Sequence, residues 1–197
     1  MVDRPASAGS AKPHFRASPW QASDVEHRLS ALIVPVPEAE PLVGRLRAEL
    51  DTAAALGVPA HVTVMFPFVP PADVDDKVLA VVQDVVAAVP AFEARFPRVE
   101  WFDEDVVWLA PEPAAPFVAL AEGIRARFGL EPYEGAHGLK VIPHLTVGHR
   151  APLPRMRTAA AELEPGLPLR AHVGSVRLMA GSDVAGSWTT VAEFSLP

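Results

Sequence analysis

Histidine, aliphatic, threonine, aliphatic: this run occurs twice, as His61-Val62-Thr63-Val64 and His144-Leu145-Thr146-Val147, 83 residues apart. Each copy lies just after a proline, Pro59 or Pro143, in a short β-branched and apolar stretch. Such stretches read as strands, in which alternate side chains share a face. His61 and Thr63 therefore project together, as do His144 and Thr146, while Val62, Val64, Leu145 and Val147 are free to enter a core. A polar pair on one side of an otherwise apolar strand must meet water, a ligand or another polar group, because a buried imidazole or hydroxyl without a partner is costly. Two such pairs in one chain suggest one site built from both.

Transfer at a phosphodiester needs such a set. Histidine has an unperturbed pKa of about 6.5 and gives or takes a proton near neutral pH. Splitting a phosphate ester requires a base for the attacking water or hydroxyl and an acid for the departing oxygen, and two histidines fill those roles. The two threonine hydroxyls can donate to the non-bridging oxygens, where transition-state charge must be held. The scheme calls for no metal and no cofactor. The candidate catalytic residues are thus His61 and His144, and the candidate substrate-binding residues Thr63 and Thr146. Residue chemistry alone leaves open which histidine is acid and which is base.

The elements that position these residues recur in order. After the first motif, Val74, Val78, Val82, Val85 and Val89 mark an amphipathic helix over 71–89, with Asp73, Asp75 and Asp76 near its start where the helix dipole favours anions. Strands are expected over 92–102 and 106–110 around a turn at 103–105. After the second motif come a helix over 154–163, a strand over about 169–179, a turn at 181–183 and a last strand over about 188–196. Each motif is also preceded by a helix. One carries the stripe Leu42, Val43, Leu46, Leu50 and Ala54; the other carries Phe117, Leu120, Ala121, Ile124 and Phe128 and is closed by Gly129. A further strand is expected over 31–36. A long repeat in two copies is a duplicated lobe rather than a solenoid.

On the residues His61, Thr63, His144 and Thr146, with aliphatic positions at 62, 64, 145 and 147, the chain resembles the 2H phosphoesterases, and within them the bacterial 2′-5′ RNA ligase and cyclic phosphodiesterase branch. The resemblance runs from about Ser30 to the C-terminus. It implies an α+β fold of two lobes related by a pseudo-twofold axis, with antiparallel sheets lining a central cleft, helices outside, and the motifs on adjacent central strands. It also implies a metal-independent phosphodiesterase acting on 2′,3′-cyclic phosphate or 2′-5′ phosphodiester termini of nucleotides or RNA, with 2′-5′ RNA ligation using the same groups. By the same resemblance His144 is the base that activates water and His61 the acid. The alternative is a nucleotide- or RNA-end-binding module that uses the cleft without turnover.

Composition narrows the class. At 197 residues and 50% hydrophobic content the chain can bury a substantial core, expected as one two-lobed domain over 29–197 behind a mobile extension over 1–28. With no cysteine, disulfides, thiol catalysis and cysteine-zinc sites are excluded. No apolar run is long enough to span a bilayer, and no signal-peptide pattern opens the chain, so a cytoplasmic protein is expected. A net charge of −7 without a Lys/Arg run disfavours extended nucleic acid and favours a small nucleotide or RNA terminus. A monomer is expected.

Other polar residues weigh less. Lys140, His149, Arg150, Arg155 and Arg157 cluster near the second motif, Arg155 and Arg157 reading as ordinary solvated charges. His149, five positions beyond His144, faces away from the site on a continued strand and makes a poor chelating pair with it. His137 and His172 read as structural or exposed. The segment 131–143, with Tyr133, Gly135, Gly138 and Lys140, delivers the chain into the second motif, and glycine-bearing connections of this kind often line sites. Tyr133 would either stack on a base or anchor that loop. Phe66 is expected in the core with Val62 and Val64, and Phe68 near the rim.

Overall fold

The apolar runs expected as strands pair into two four-stranded antiparallel sheets. In this computed structural model, residues 28–130 and 141–197 are described. The strands are β1 (Leu29–Pro35), β2 (His61–Met65), β3 (Phe92–Phe102), β4 (Val106–Glu112), β5 (Leu145–His149), β6 (Leu169–Val173), β7 (Ser175–Gly181) and β8 (Thr189–Ser195). The helices are α1 (Glu40–Leu50), α2 (Thr52–Leu56), α3 (Asp76–Ala87), α4 (Ala115–Phe128) and α5 (Leu153–Leu163). The expected extension over 1–28 lies, but for its last residue, outside the described residues.

One sheet runs β2-β1-β7-β8 and the other β5-β4-β3-β6, so the two correspond position by position. Each motif strand is the edge strand of its sheet. The two edges approach one another, which brings the motifs to the middle of the molecule without hydrogen-bonding one to the other. The resemblance implied central strands. They are central to the molecule and peripheral to their own sheets.

The helices cross over. α1 connects β1 to β2 yet packs on β5 of the opposite sheet, and α4 connects β4 to β5 yet packs on β2. Strands are exchanged as well, since β3 follows the first motif and joins the sheet of the second, while β7 follows the second and joins the sheet of the first. The twice-written order of strand, helix, strand, strand is therefore not a self-contained lobe. Val62, Val64, Leu145, Val147, Leu120 and Ile124 share one buried core with residues of both sheets. Burying each such side chain contributes roughly 1.5–3 kcal/mol.

Local chemistry sets the element ends. Asp75 accepts from the backbone N–H groups of Lys77 and Val78, at 3.0 and 2.9 Å, and caps α3. The helix expected over 71–89 thus begins at Asp76 and is preceded by a 3₁₀ turn over Pro71–Asp73. Gly129 closes α4 in the left-handed region, at φ 67°. The stripe from Leu42 to Ala54 is broken at Asp51, whose extended backbone ends α1 while its carboxylate caps α2. At Gly148 a Cβ would lie 3.1 Å from Val107 and 3.2 Å from Leu50, so glycine there lets α1 sit close on β5.

Two other expectations change. The single strand over 169–179 is two strands, β6 and β7, parted at Gly174 and belonging to different sheets. Phe68, expected near the rim, is in the main core, and Phe66, expected there with Val62 and Val64, is not. Met65 pairs with Leu32 and Thr63 with Ile33, so Val64 is an extra residue in β2 and the alternation slips by one. Phe68 enters the main core edge-on to Phe128, whereas Phe66 lies on the other face against Trp188.

Candidate active site

Both motif histidines stand where the chain enters its edge strand. His61 opens β2, and His144 immediately precedes β5. The rings are held alike: Nδ1 of His61 lies 2.7 Å from the carbonyl oxygen of Pro59, and Nδ1 of His144 lies 2.8 Å from that of Ile142, two residues upstream in each case. A carbonyl can only accept, so Nδ1 carries the hydrogen in both rings. In the neutral form the basic nitrogen is then Nε2.

His61, Thr63, His144 and Thr146 are all half-buried, and their neighbours Val62, Val64, Leu145 and Val147 are buried. The expected alternation holds through both motifs. Among the described residues neither threonine hydroxyl has a hydrogen-bond partner.

The protein acts on the His61 proton. Desolvation pushes the imidazole down to about 4, against the Pro59 carbonyl, which favours the charged form; Arg47 lowers it further, Asp51 raises it and His144 lowers it. The two imidazoles are thus within electrostatic reach of each other. At neutral pH His61 is uncharged.

Two features beside the histidines escape the sequence reading. The first is an aromatic wall. Phe102 and Trp108 stack with ring centroids 4.7 Å apart, and His144 meets both edge-on at 5.0 and 5.8 Å. Trp108 is 7% exposed, and its indole N–H is buried without a hydrogen-bond partner among the described residues. A tryptophan two strand positions from a turn is an ordinary core signal, and only the pairing of β4 with β5 brings it to the site. The second is the buried ion pair of Arg47 with Asp51, at 2.9 Å and 2% and 5% exposed. A charge four residues after Val43, inside the stripe of α1, is the signal that marks it.

The remaining candidates stay apart. His149 is exposed at the end of β5, His172 pairs with Glu93 at 2.8 Å, Arg155 pairs with Glu49 and Glu162, and Arg157 pairs with Glu104. His137, Tyr133, Gly135, Gly138 and Lys140 lie outside the described residues. Among the described residues no three His, Asp or Glu side chains are grouped to hold a metal ion, and no helix is long and apolar enough to cross a membrane.

The sequence profile of the 2′-5′ RNA ligase superfamily matches residues 34–184, which span both motifs. The chain belongs to this superfamily. Solved structures share the superfamily fold: LigT of E. coli complexed with 3′-AMP is 20% identical, at a TM-score of 0.57 over 87% of this chain and 99% of that one. The protein TT0787 of Thermus thermophilus is also 20% identical, at a TM-score of 0.61 over 85% of this chain and 97% of that one. LigT complexed with ATP superposes at a TM-score of 0.54 with 18% identity, covering 87% and 98%. No curated protein sequence matches the chain. As a member of the 2′-5′ RNA ligase superfamily, the protein has the α+β fold of two antiparallel sheets with helices that its LigT-like relatives share.

Proposed function

We propose that the protein is a metal-independent phosphodiesterase acting on 2′,3′-cyclic phosphate or 2′-5′ phosphodiester termini of nucleotides or RNA, by acid–base catalysis between His61 and His144. One observation carries the reading: both imidazoles are held at Nδ1 by a backbone carbonyl, so both have Nε2 as the titrating nitrogen. With Nδ1 committed to a carbonyl, each Nε2 is left to accept a proton when the ring is neutral and to donate one when it is charged, which are the two acts that acid–base catalysis needs.

In hydrolysis of a 2′,3′-cyclic phosphate, water attacks phosphorus and gives its proton to Nε2 of His144. The bond from phosphorus to one ribose oxygen breaks, and that oxygen takes a proton from Nε2 of His61. Thr63 and Thr146 donate to the non-bridging oxygens as charge gathers there. Because His61 is neutral in the unliganded protein, it acquires its proton together with the anionic substrate, whose charge favours imidazolium. Ligation is the same exchange with a ribose hydroxyl in place of water. The LigT structures with 3′-AMP and ATP support a small nucleotide as the ligand class.

The test is hydrolysis of a panel of nucleoside 2′,3′-cyclic phosphates in the presence of a chelator. Turnover to a nucleoside monophosphate is expected. Tight binding of 3′-AMP and of the cyclic phosphates with no turnover of any of them, or of 2′-5′ linked dinucleotides, would sink the enzymatic reading.

A further inference from the structure

Three residues, Val58, Pro59 and Ala60, carry the chain into His61, and every backbone polar group in them is used. The Val58 N–H donates to the Ala53 carbonyl at 3.0 Å, and the Val58 carbonyl accepts from Arg47 Nη2 at 3.2 Å. Pro59 has no N–H, and its carbonyl holds the His61 ring. The Ala60 N–H donates to Glu40 Oε1 at 2.6 Å, and the Ala60 carbonyl accepts from the Val36 N–H at 2.8 Å. Two of these five partners are charged side chains of α1. Each backbone donor and acceptor of the segment thus has a partner within the protein, and any movement of it would break at least one of these bonds.

The charges form a single cluster. Arg47 donates to Asp51 Oδ2 through Nε at 3.1 Å and Nη2 at 2.9 Å, and its Nη1 lies 4.0 Å from Glu40 Oε1. Asp51 uses its other oxygen to accept from the Ala53 N–H at 3.1 Å, which ties the cluster to α2. A planar guanidinium with donors in a fixed fork can serve a carboxylate and a carbonyl at once, which an ammonium does poorly. Burying an ion pair is a weak way to stabilise a fold, since apolar residues of similar volume often do as well or better. Here Arg47 makes a bond that an apolar residue could not, donating to the Val58 carbonyl next to the proline whose own carbonyl meets the His61 ring.

We infer that the Glu40, Arg47 and Asp51 cluster is the positioning element of His61, fixing the Val58 to Ala60 segment so that the Pro59 carbonyl holds the imidazole in one tautomer and one direction. The assignment of a catalytic purpose to that positioning rests on the function proposed above. The second histidine has the same contact at Nδ1, made by a more exposed residue. The carbonyl that accepts from its ring belongs to Ile142, which is 44% exposed.

Removing Arg47 alone would strand Asp51, so the informative variants are Glu40→Ala, at a partly exposed side chain, and the double variant Arg47→Met with Asp51→Asn, which deletes both buried charges and keeps a cap oxygen. Glu40→Gln keeps the acceptor for the Ala60 N–H. Nitrogen-15 spectra of the histidine rings report the tautomer of His61 without any substrate. In Glu40→Ala and in the double variant, His61 should change from a single Nδ1–H form to a mixture. On 2′,3′-cyclic nucleotides kcat should fall roughly 10- to 100-fold, as for a small misplacement of a catalytic group, with KM little changed. Glu40→Gln should bring both readouts back toward those of the unaltered protein. Folded Glu40→Ala and double variants that retain both the single tautomer and full turnover would overturn the inference. Were the unaltered protein itself inactive on every substrate of the panel, the function would fall, and the ring spectra would still decide the positioning.

Discussion

Trp108 stands directly across the β4 to β5 ladder from Thr146, so the two side chains share a face. At the corresponding place beside Thr63 stands Ile33, buried in a small cluster with Val58, Met179 and Trp188. The two motifs match in sequence and differ in their walls. Beside Thr146 stands a tryptophan stacked on Phe102 and edge-on to His144, and beside Thr63 an isoleucine whose cluster includes Trp188.

That wall predicts a graded response at Trp108. Trp108→Ala removes the stack on Phe102 and the edge contact with His144, and should cost about 3–5 kcal/mol of stability. Trp108→Phe keeps an aromatic face and removes an N–H that has no partner among the described residues, so turnover should stay within a few-fold of the unaltered protein. Chemical denaturation and steady-state kinetics on the two variants check this; equal loss in both would show that the indole nitrogen matters.

Acid should weaken the fold through His61. Its folded value of about 4 is below the unfolded value of 6.5, so between those pH values the unfolded chain binds a proton that the native state refuses. The contribution is fully present above about pH 6.5, is lost as pH falls toward 4, and does not grow further below that. His61→Asn should flatten the stability profile in this window, as followed by urea denaturation at several pH values. Binding of 3′-AMP should move the His61 titration upward, because a phosphate favours imidazolium; a downward movement would contradict a phosphate seated at this ring.

Loss of either imidazole should be costly and distinguishable. His61→Ala and His144→Ala should each reduce the rate roughly 10²–10⁴-fold with little effect on folding, since both rings are half-exposed. A substrate with a better leaving group should rescue His61→Ala more than His144→Ala. The opposite pattern would exchange the acid and the base, and full activity in both single variants would remove the site.

Thr63→Val and Thr146→Val keep strand-compatible shapes and delete one donor each. Turnover should fall by about 10²-fold, the scale for loss of one oxyanion donor, and binding of 3′-AMP should weaken. Isothermal titration together with kinetics separates the two effects; unchanged values for both variants would take the threonines out of the phosphate site.

Turnover should survive exhaustive chelation, and kcat should follow a bell-shaped pH profile from one imidazole acting protonated and the other unprotonated. Activity lost on metal removal and restored by zinc or manganese would replace the two-histidine scheme with a metal-dependent one.

Local periodicity determines a good deal of this protein before any tertiary contact is known. Strand alternation puts His61, Thr63, His144 and Thr146 on half-exposed faces and their neighbours in the core, and the valine spacing of α3 and the glycine after α4 place those helices, because both periods are properties of adjacent residues. The repeated motif also points to the superfamily that the sequence profile identifies. Sheet membership is a different kind of fact. Nothing between Val173 and Ser175 except Gly174 marks the passage from one sheet to the other, and the exchange of β3 and β7 depends on pairings with strands far away in the chain. The extra residue at Val64, which sends Phe68 rather than Phe66 into the main core, arises from how β2 meets β1. Only the packed structure brings Trp108 beside His144 and turns Arg47, four residues from Asp51 on paper, into the clamp on the segment before His61, since both relationships run between elements that pattern alone leaves unconnected.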